Sequence, residues 1–235
     1  MIIATNITKR FGKLIALDNV SASCSKGECV ALIGPNGSGK TTLIKSILGM
    51  VVPDSGTITF NGQNISNNWQ YRSQIGYMPQ IGRYPENMTI GQVLDMMSDI
   101  RMHEGRRDND LLNEFDFKSL LDKRMRTLSG GTRQKVSAAL AFMFDPEVLI
   151  LDEPTAGLDP VASEILKQKI IAEKKSGKLI LITSHILSEL DDLATQVIYM
   201  QDGKLVFHKP IEVLKHETGE HKLSRAIASV MVQCQ

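Results

Sequence analysis

The chain has 235 residues, 42% hydrophobic and 23% charged, which suits one compact globular domain, or a domain with a subdomain, and leaves ample core. Lys and Arg total 27 against 26 Asp and Glu, and a formal net charge of +1 argues against a bulk electrostatic partner, so no nucleic acid is expected. No stretch approaches the roughly 18–20 consecutive apolar residues that span a bilayer, and three cysteines, Cys24, Cys29 and Cys234, are too sparse and too odd a set for a disulfide framework.

In chain order, MIIATNITKR lacks the design of a signal peptide, so the chain is expected in the cytosol with reduced, structural thiols. Segments near Ile2–Ile7, Leu17–Ser23 and Cys29–Ile33 read as strands, with Lys26-Gly27 a turn before the last. Thr41 to Gly49 carries Leu43, Ile44, Ile47 and Leu48 at helical spacing and stops at glycine. After a turn cluster at 51–56, Thr57–Phe60 is another strand, closed by Asn61-Gly62. Residues 81–140 are helix-rich, hold most of the methionines and contain the polar loop Glu104–Asp110. Val148–Leu151 and Leu179–Thr183 are continuous apolar runs of the buried parallel-sheet kind, separated by an amphipathic helix over Ser163–Lys175. Tyr199–Val206 around Asp202-Gly203 reads as a closing hairpin. Two short helices, Ile211–His216 and Leu223–Val232, fill a tail whose Ile227, Val230 and Met231 form a small apolar stripe.

Two features carry chemistry. Gly34-Pro35-Asn36-Gly37-Ser38-Gly39-Lys40-Thr41 fits G-x-x-x-x-G-K-[ST] between a predicted strand and a predicted helix. Glycines let backbone N–H groups turn inward on phosphate oxygens, and the helix N-terminus adds positive potential. Lys40 would reach the β- and γ-phosphates, and the Thr41 hydroxyl would ligate Mg²⁺. The second feature is the apolar strand that ends in Asp152-Glu153. Parallel sheets present ligands at the carboxyl ends of their strands, so Asp152 is expected beside the phosphate loop as a metal ligand. Glu153, following it, is the better group to polarise an attacking water.

At Leu128-Ser129-Gly130-Gly131 a further motif enters, ahead of the helical pattern Gln134–Phe142. With the phosphate loop at 34–41, Gln80 after Tyr77-Met78-Pro79, the acidic strand at 148–153, Gly157-Leu158-Asp159 and His185, the chain resembles the ATP-binding subunit of ABC transporters over nearly its whole length. The resemblance implies an α/β fold: a P-loop NTPase core of ABC ATPase type with an antiparallel β subdomain and a helical subdomain insertion. The corresponding bounds are 1–80 and 141–210 for the core, 81–140 for the helical subdomain and 211–235 for the tail. It implies ATP and Mg²⁺, with Thr42 beside Thr41 in the nucleotide site, and a head-to-tail homodimer in which Ser129, Gly130 and Gly131 of one copy face ATP held by the other.

By position, Gln80 resembles the residue that senses Mg²⁺ and water, and His185 the switch histidine that contacts the γ-phosphate. Taken alone, such a histidine reads as an ordinary hydrogen-bonded residue. Asp159 resembles the residue that bridges the subunits near the dimer axis. Phe11 stands where the family places an aromatic ring, more commonly tyrosine, against adenine. Thr132 departs from the commoner glutamine of the signature, which removes an amide and is expected to alter geometry or rate rather than abolish activity. The resemblance also implies multispanning permease subunits as partners, touched by the segment Pro85–Ile90, and a place on the cytoplasmic face of the inner membrane.

Gly76–Thr89, Ser129–Val136 and Ser184–Leu190 look particularly like the ATPases of nitrous-oxide-reductase maturation transporters (NosF-type). That subgroup would imply transport of copper or a sulfur species and a periplasmic copper-site maturation protein as partner. Met88, Met96, Met97, Met102 and His103 are soft-ligand types in a short span, but Met96 and Met97 share a helical pattern with Ile90, Val93 and Leu94 and read as packing. The alternatives are a soluble ABC-type ATPase acting on ribosomes or DNA, and an exporter ATPase for lipid, polysaccharide or drug.

Overall fold

The computed structural model describes residues 1–102 and 107–233, so His103 and Cys234 lie outside the described residues. The chain order is β1 (Ile2–Phe11), β2 (Leu14–Cys24), β3 (Cys29–Ile33), α1 (Lys40–Ile47), β4 (Ser55–Phe60) and β5 (Gln63–Asn64). It continues with β6 (Ile75–Met78), α2 (Ile90–Arg101), α3 (Asp110–Glu114), α4 (Gly130–Phe142), β7 (Val148–Asp152) and α5 (Pro160–Lys175). The last elements are β8 (Leu179–Thr183), α6 (Leu187–Leu193), β9 (Gln196–Gln201), β10 (Lys204–Pro210), α7 (Ile211–Thr218) and α8 (Leu223–Gln233). Two compact units divide these elements: Met1–Arg72 with Leu179–Gln235, and Ser73–Lys178.

In the first unit an antiparallel sheet runs in the order β2-β1-β4-β5, and β10-β9-β3-β8 form a second layer of pairing. β3 is parallel to both β8 and β9, while β10 turns back antiparallel on β9. Every residue of β3 and of β8 is buried, as an apolar run covered on both faces requires. β1 and β2 run longer than the apolar patches in the sequence indicate. A two-residue turn at Gly12-Lys13 joins them, and the half-polar ends pair as Phe11 with Leu14 and Arg10 with Ile15. Backbone pairing carries a strand past the residues that its side chains would nominate.

The tail packs rather than trails. α7 ends at Gly219 in the left-handed region, and Ile211, Leu214, Leu223, Ala226 and Ile227 are buried. Asp191 on α6, a helix the strand and helix patterns had not marked, accepts the Leu223 N–H at 2.9 Å and pairs with Lys215 at 3.0 Å. Cys24 and Cys29 are both buried. Burial, helped by the nearby Glu28 charge, pushes Cys24 up to about 12, so it is an inert thiol.

In the second unit β6 and β7 pair in parallel, with Ile75 opposite Val148 and Met78 opposite Leu151. α2 begins in a capping box, Thr89 accepting the Gln92 N–H and the Gln92 side chain accepting the Thr89 N–H. Met96 and Met97 are half-buried on α2, whereas Met102 is 87% exposed in the left-handed position that ends it. α4 buries Gln134 and Val136 to Phe142, so it crosses the core and not the surface.

A charge knot fastens α5. The Lys169 ammonium donates to Asp108 at 2.5 Å and Asp110 at 2.7 Å and lies 3.0 Å from Glu173. Glu173 in turn pairs with Lys178, which also holds Asp145. Burial works against the Lys169 charge, but its three carboxylates outweigh that and raise its pKa. Lys169→Met leaves Glu173 and Asp108 short of a partner and is expected to cost about 2 kcal/mol, less than a wholly buried pair because Asp110 is exposed. Thermal unfolding checks this; a melting temperature unchanged at neutral pH would show that the knot carries no net stability.

Candidate functional site

The first unit assembles the phosphate loop. β3 ends in the core at Ile33 and the chain turns at Gly34 with φ 149°. A Cβ on Gly34 would lie 2.0 Å from the Met200 carbonyl oxygen, so no other residue fits. The Lys40 ammonium reaches back across the loop to the carbonyls of Gly34 at 2.8 Å and Pro35 at 2.9 Å. α1 has Gly39 at its N-cap, no side-chain cap and no acidic residue in its first turn, so the positive end of the helix dipole faces the loop uncompensated by a carboxylate. Ser38 is 2% exposed, and its hydroxyl oxygen is buried with no hydrogen-bond partner. A buried hydroxyl left unpaired beside uncapped N–H groups and an ammonium fits an anion that completes it. Thr41 is exposed and Thr42 half-buried on the first turn, while Pro35, Asn36 and Gly37 form the open rim.

His185 belongs to the same unit. It follows β8 in a turn closed by the Ile186 N–H donating to the Ser184 hydroxyl at 2.9 Å, and its side chain is exposed. Because β3 and β8 are parallel, the phosphate loop and His185 leave the same edge of the sheet. Phe11 ends β1 with half its surface exposed, outside the core.

The second unit gathers the acidic and signature residues. β6 and β7 are parallel, so Gln80, exposed, and Asp152, buried, leave a common edge. Burial and the Asp152 charge both raise the Tyr77 hydroxyl's pKa. Glu153 takes a left-handed conformation, φ 51°, unusual for a residue with a side chain. Its carbonyl is held by the Ala156 N–H at 3.1 Å and the Gln134 amide at 3.4 Å, so the chain pivots at Glu153. Two adjacent carboxylates thereby part company: Asp152 remains in the strand and Glu153 swings from it.

Ser129 caps α4, accepting the Thr132 N–H at 3.2 Å, and its hydroxyl lies 2.9 Å from the Thr132 hydroxyl. Gly130 is exposed at the first helical position. A Cβ on Gly131 would come within 2.8 Å of the Gly157 carbonyl, which fixes glycine there too. Asp159 caps α5 through the Ala162 N–H at 2.8 Å and pairs with Lys135 at 2.8 Å. Lys135 and Gln134, both on α4, were given no site role by the sequence, and only the folded helix brings them to Asp159 and Glu153.

Residues 17–156 match the sequence pattern of the ABC transporter family. A relative from Ralstonia nicotianae, named Nod factor export ATP-binding protein I, is 34% identical over 91% of this chain and 68% of its own length. The solved structure of an ATP-binding subunit of an ABC transporter has 27% identity and a TM-score of 0.91, covering 98% of this chain and 99% of that one. A dimeric ATP-binding cassette in a post-hydrolysis state with ADP and Pi shares the fold at 23% identity and a TM-score of 0.80, covering 89% of this chain and 98% of that one.

Lys135 and the Ala162 N–H hold the Asp159 carboxyl below its ordinary value of 3.8. A depressed carboxyl stabilises the fold above its unfolded pKa and ceases to as the pH falls through the folded one. Asp159→Asn is therefore expected to melt below the parent chain at neutral pH, with the gap closing below the ordinary value of 3.8. Melting curves across that range check it; a gap that does not depend on pH would show that the Lys135 pair contributes nothing.

Proposed function

This chain belongs to the ABC transporter family as an ATP-binding, ATP-hydrolysing subunit, and from that premise we propose that it works as a head-to-tail homodimer docked on multispanning membrane subunits. The phosphate loop, with its buried unpaired Ser38 hydroxyl, is the observation that carries the reading. In it, Gly34 to Thr42 hold the phosphates of ATP, Lys40 serves the β- and γ-phosphates, and Phe11 stacks on adenine. Thr41, Asp152 and Gln80 supply hydroxyl, carboxylate and amide oxygens, a hard donor set suited to Mg²⁺. Bound there, Mg²⁺ would neutralise charge on the phosphates. Glu153 takes the proton of the water that attacks the γ-phosphorus, and ADP leaves. His185 contacts the γ-phosphate, while Ser129, Gly130 and Gly131 reach it from the second copy and Asp159 serves near the dimer axis.

The second unit carries a groove of about 370 Å³ lined by Ile81, Gly82, Arg83, Tyr84, Glu86 and Met125. Its mix of apolar and charged walls suits a segment of a membrane subunit, in keeping with contact through Pro85–Ile90. No helix among the described residues is long and apolar enough to cross a membrane. The reading places the chain on the cytoplasmic face of the inner membrane. For cargo, the relative's name favours export. The segments 76–89, 129–136 and 184–190 favour a second reading, delivery of copper or a sulfur species for nitrous-oxide-reductase maturation with a periplasmic partner.

Glu153→Gln should lower kcat by at least about 100-fold while ATP is still bound and dimers accumulate in its presence. Normal turnover in that variant would refute the base assignment. Lys40→Ala should weaken ATP binding about 10-fold or more, measured by calorimetry, and unchanged affinity would refute the loop assignment. Tagged Glu153→Gln protein recovered with ATP from detergent-solubilised membranes should bring a permease. An accompanying periplasmic copper-site protein selects the maturation reading, and soluble partners alone would overturn transport.

A further inference from the structure

Phe11 has no hydroxyl with which to anchor its ring, and it stands half exposed at the end of a strand, yet it is not left to rotate alone. The Lys9 ammonium lies 5.5 Å from the centroid of the ring, within the range at which a cation is drawn to an aromatic face. Lys9 is itself seated. It donates to Asp54 Oδ1 at 2.9 Å, and only 16% of its side chain is exposed. Asp54 is held from two more directions: its Oδ2 accepts the Arg10 N–H at 2.7 Å, and its own N–H donates to the Thr8 carbonyl at 2.8 Å. The hydrogen bond from Lys9 also keeps the Asp54 carboxyl below its ordinary value, so the carboxylate stays charged at neutral pH.

We propose that Lys9, seated by Asp54, is a positioning residue for the nucleotide base: it holds the Phe11 ring as a stacking platform and so sets ATP affinity without taking part in phosphate binding or hydrolysis. The proposal rests on the reading that Phe11 meets adenine, and deepens it. An ammonium drawn to the aromatic ring limits the ring's rotation before the nucleotide arrives, so less freedom is lost when a base stacks on it. Its charge also draws π density toward itself, which lessens repulsion between the ring and the π cloud of a purine. Both effects act through the base and leave the triphosphate untouched.

The test compares ATP with inorganic tripolyphosphate, which lacks a base, by calorimetry on the full chain. Lys9→Met is expected to weaken ATP about 3-fold, leave tripolyphosphate unchanged, and raise KM with kcat unaltered. Lys9→Arg, which keeps a cation near the ring, should restore ATP affinity. In a Phe11→Leu background, Lys9→Met should have no further effect. Equal losses for both ligands, or an undiminished loss in the Phe11→Leu background, would overturn the proposal and leave Lys9 a general cation or a purely structural pair. ATP affinity untouched by Lys9→Met but lowered by Phe11→Leu would overturn it while sparing the adenine reading. ATP affinity untouched by Phe11→Leu would remove that reading and this proposal with it.

Discussion

A backbone that turns toward phosphate has to give up ladder pairing and still hold its shape, and the first unit meets both demands. The loop after β3 gives up the ladder that would satisfy it and is stiffened by other means. Gly34 is pressed against the Met200 carbonyl, the Gly203 N–H donates to the Ser38 carbonyl at 3.2 Å, and Lys40 ties the loop's first carbonyls to the helix that follows. Met200 and Gly203 belong to the β9–β10 hairpin, and β9 is parallel to β3, so the sheet supplies both the loop and its backing. The hairpin of β1 and β2 joins the same arrangement through Asp18, whose N–H donates to the Gly203 carbonyl at 2.8 Å. A buried, unpaired Ser38 hydroxyl costs stability, and that cost is the kind a bound anion relieves.

The second unit answers a different demand, which is to aim side chains from element ends. Three of its candidate positions are ends of elements whose backbone groups are claimed locally: Ser129 caps α4, Asp159 caps α5, and the turn at Glu153 is closed onto Gln134. The buried face of α4 makes this possible, because a helix crossing the core can fix residues at both of its neighbours. Lys169 and Lys178 then tie α5 and its flanks with charges that are mostly paired, which keeps the far end of α5 from drifting.

The chain's motifs were legible because each is a short covalent stretch in which spacing and geometry coincide. Residues 34–41 fold as a strand-to-helix loop, 148–152 as a buried strand, and both tail helices form where apolar spacing placed them. What escaped was set by partners distant in sequence. β1 and β2 extend through Lys9, Arg10 and Leu14 because each supplies the other's hydrogen bonds, and nothing in ITKRFGKLI announces it. α6 is seven residues with mixed polarity, and its Asp191 gains meaning only from Lys215 and Leu223. Lys135 gains its role only where the fold sets it against Asp159, and Lys9 where it is set against Phe11.

At Thr132 local geometry adds to an expectation drawn from resemblance. Read as the loss of an amide, Thr132 is expected to alter geometry or rate rather than abolish activity. In the structure its backbone N–H already donates to the Ser129 hydroxyl oxygen, and its own hydroxyl lies 2.9 Å from that same oxygen. Ser129 has one hydrogen to give and two lone pairs to receive. If Thr132 donates through both groups, those lone pairs are filled and the Ser129 hydrogen is directed away from the helix. That is the polarity a serine needs to meet an anionic phosphate oxygen, since a hydroxyl that turned its lone pairs outward would repel it. Thr132 thus sets both its N–H and its hydroxyl against the Ser129 hydroxyl, so the residue that departs from the commoner signature is itself part of the cap of α4.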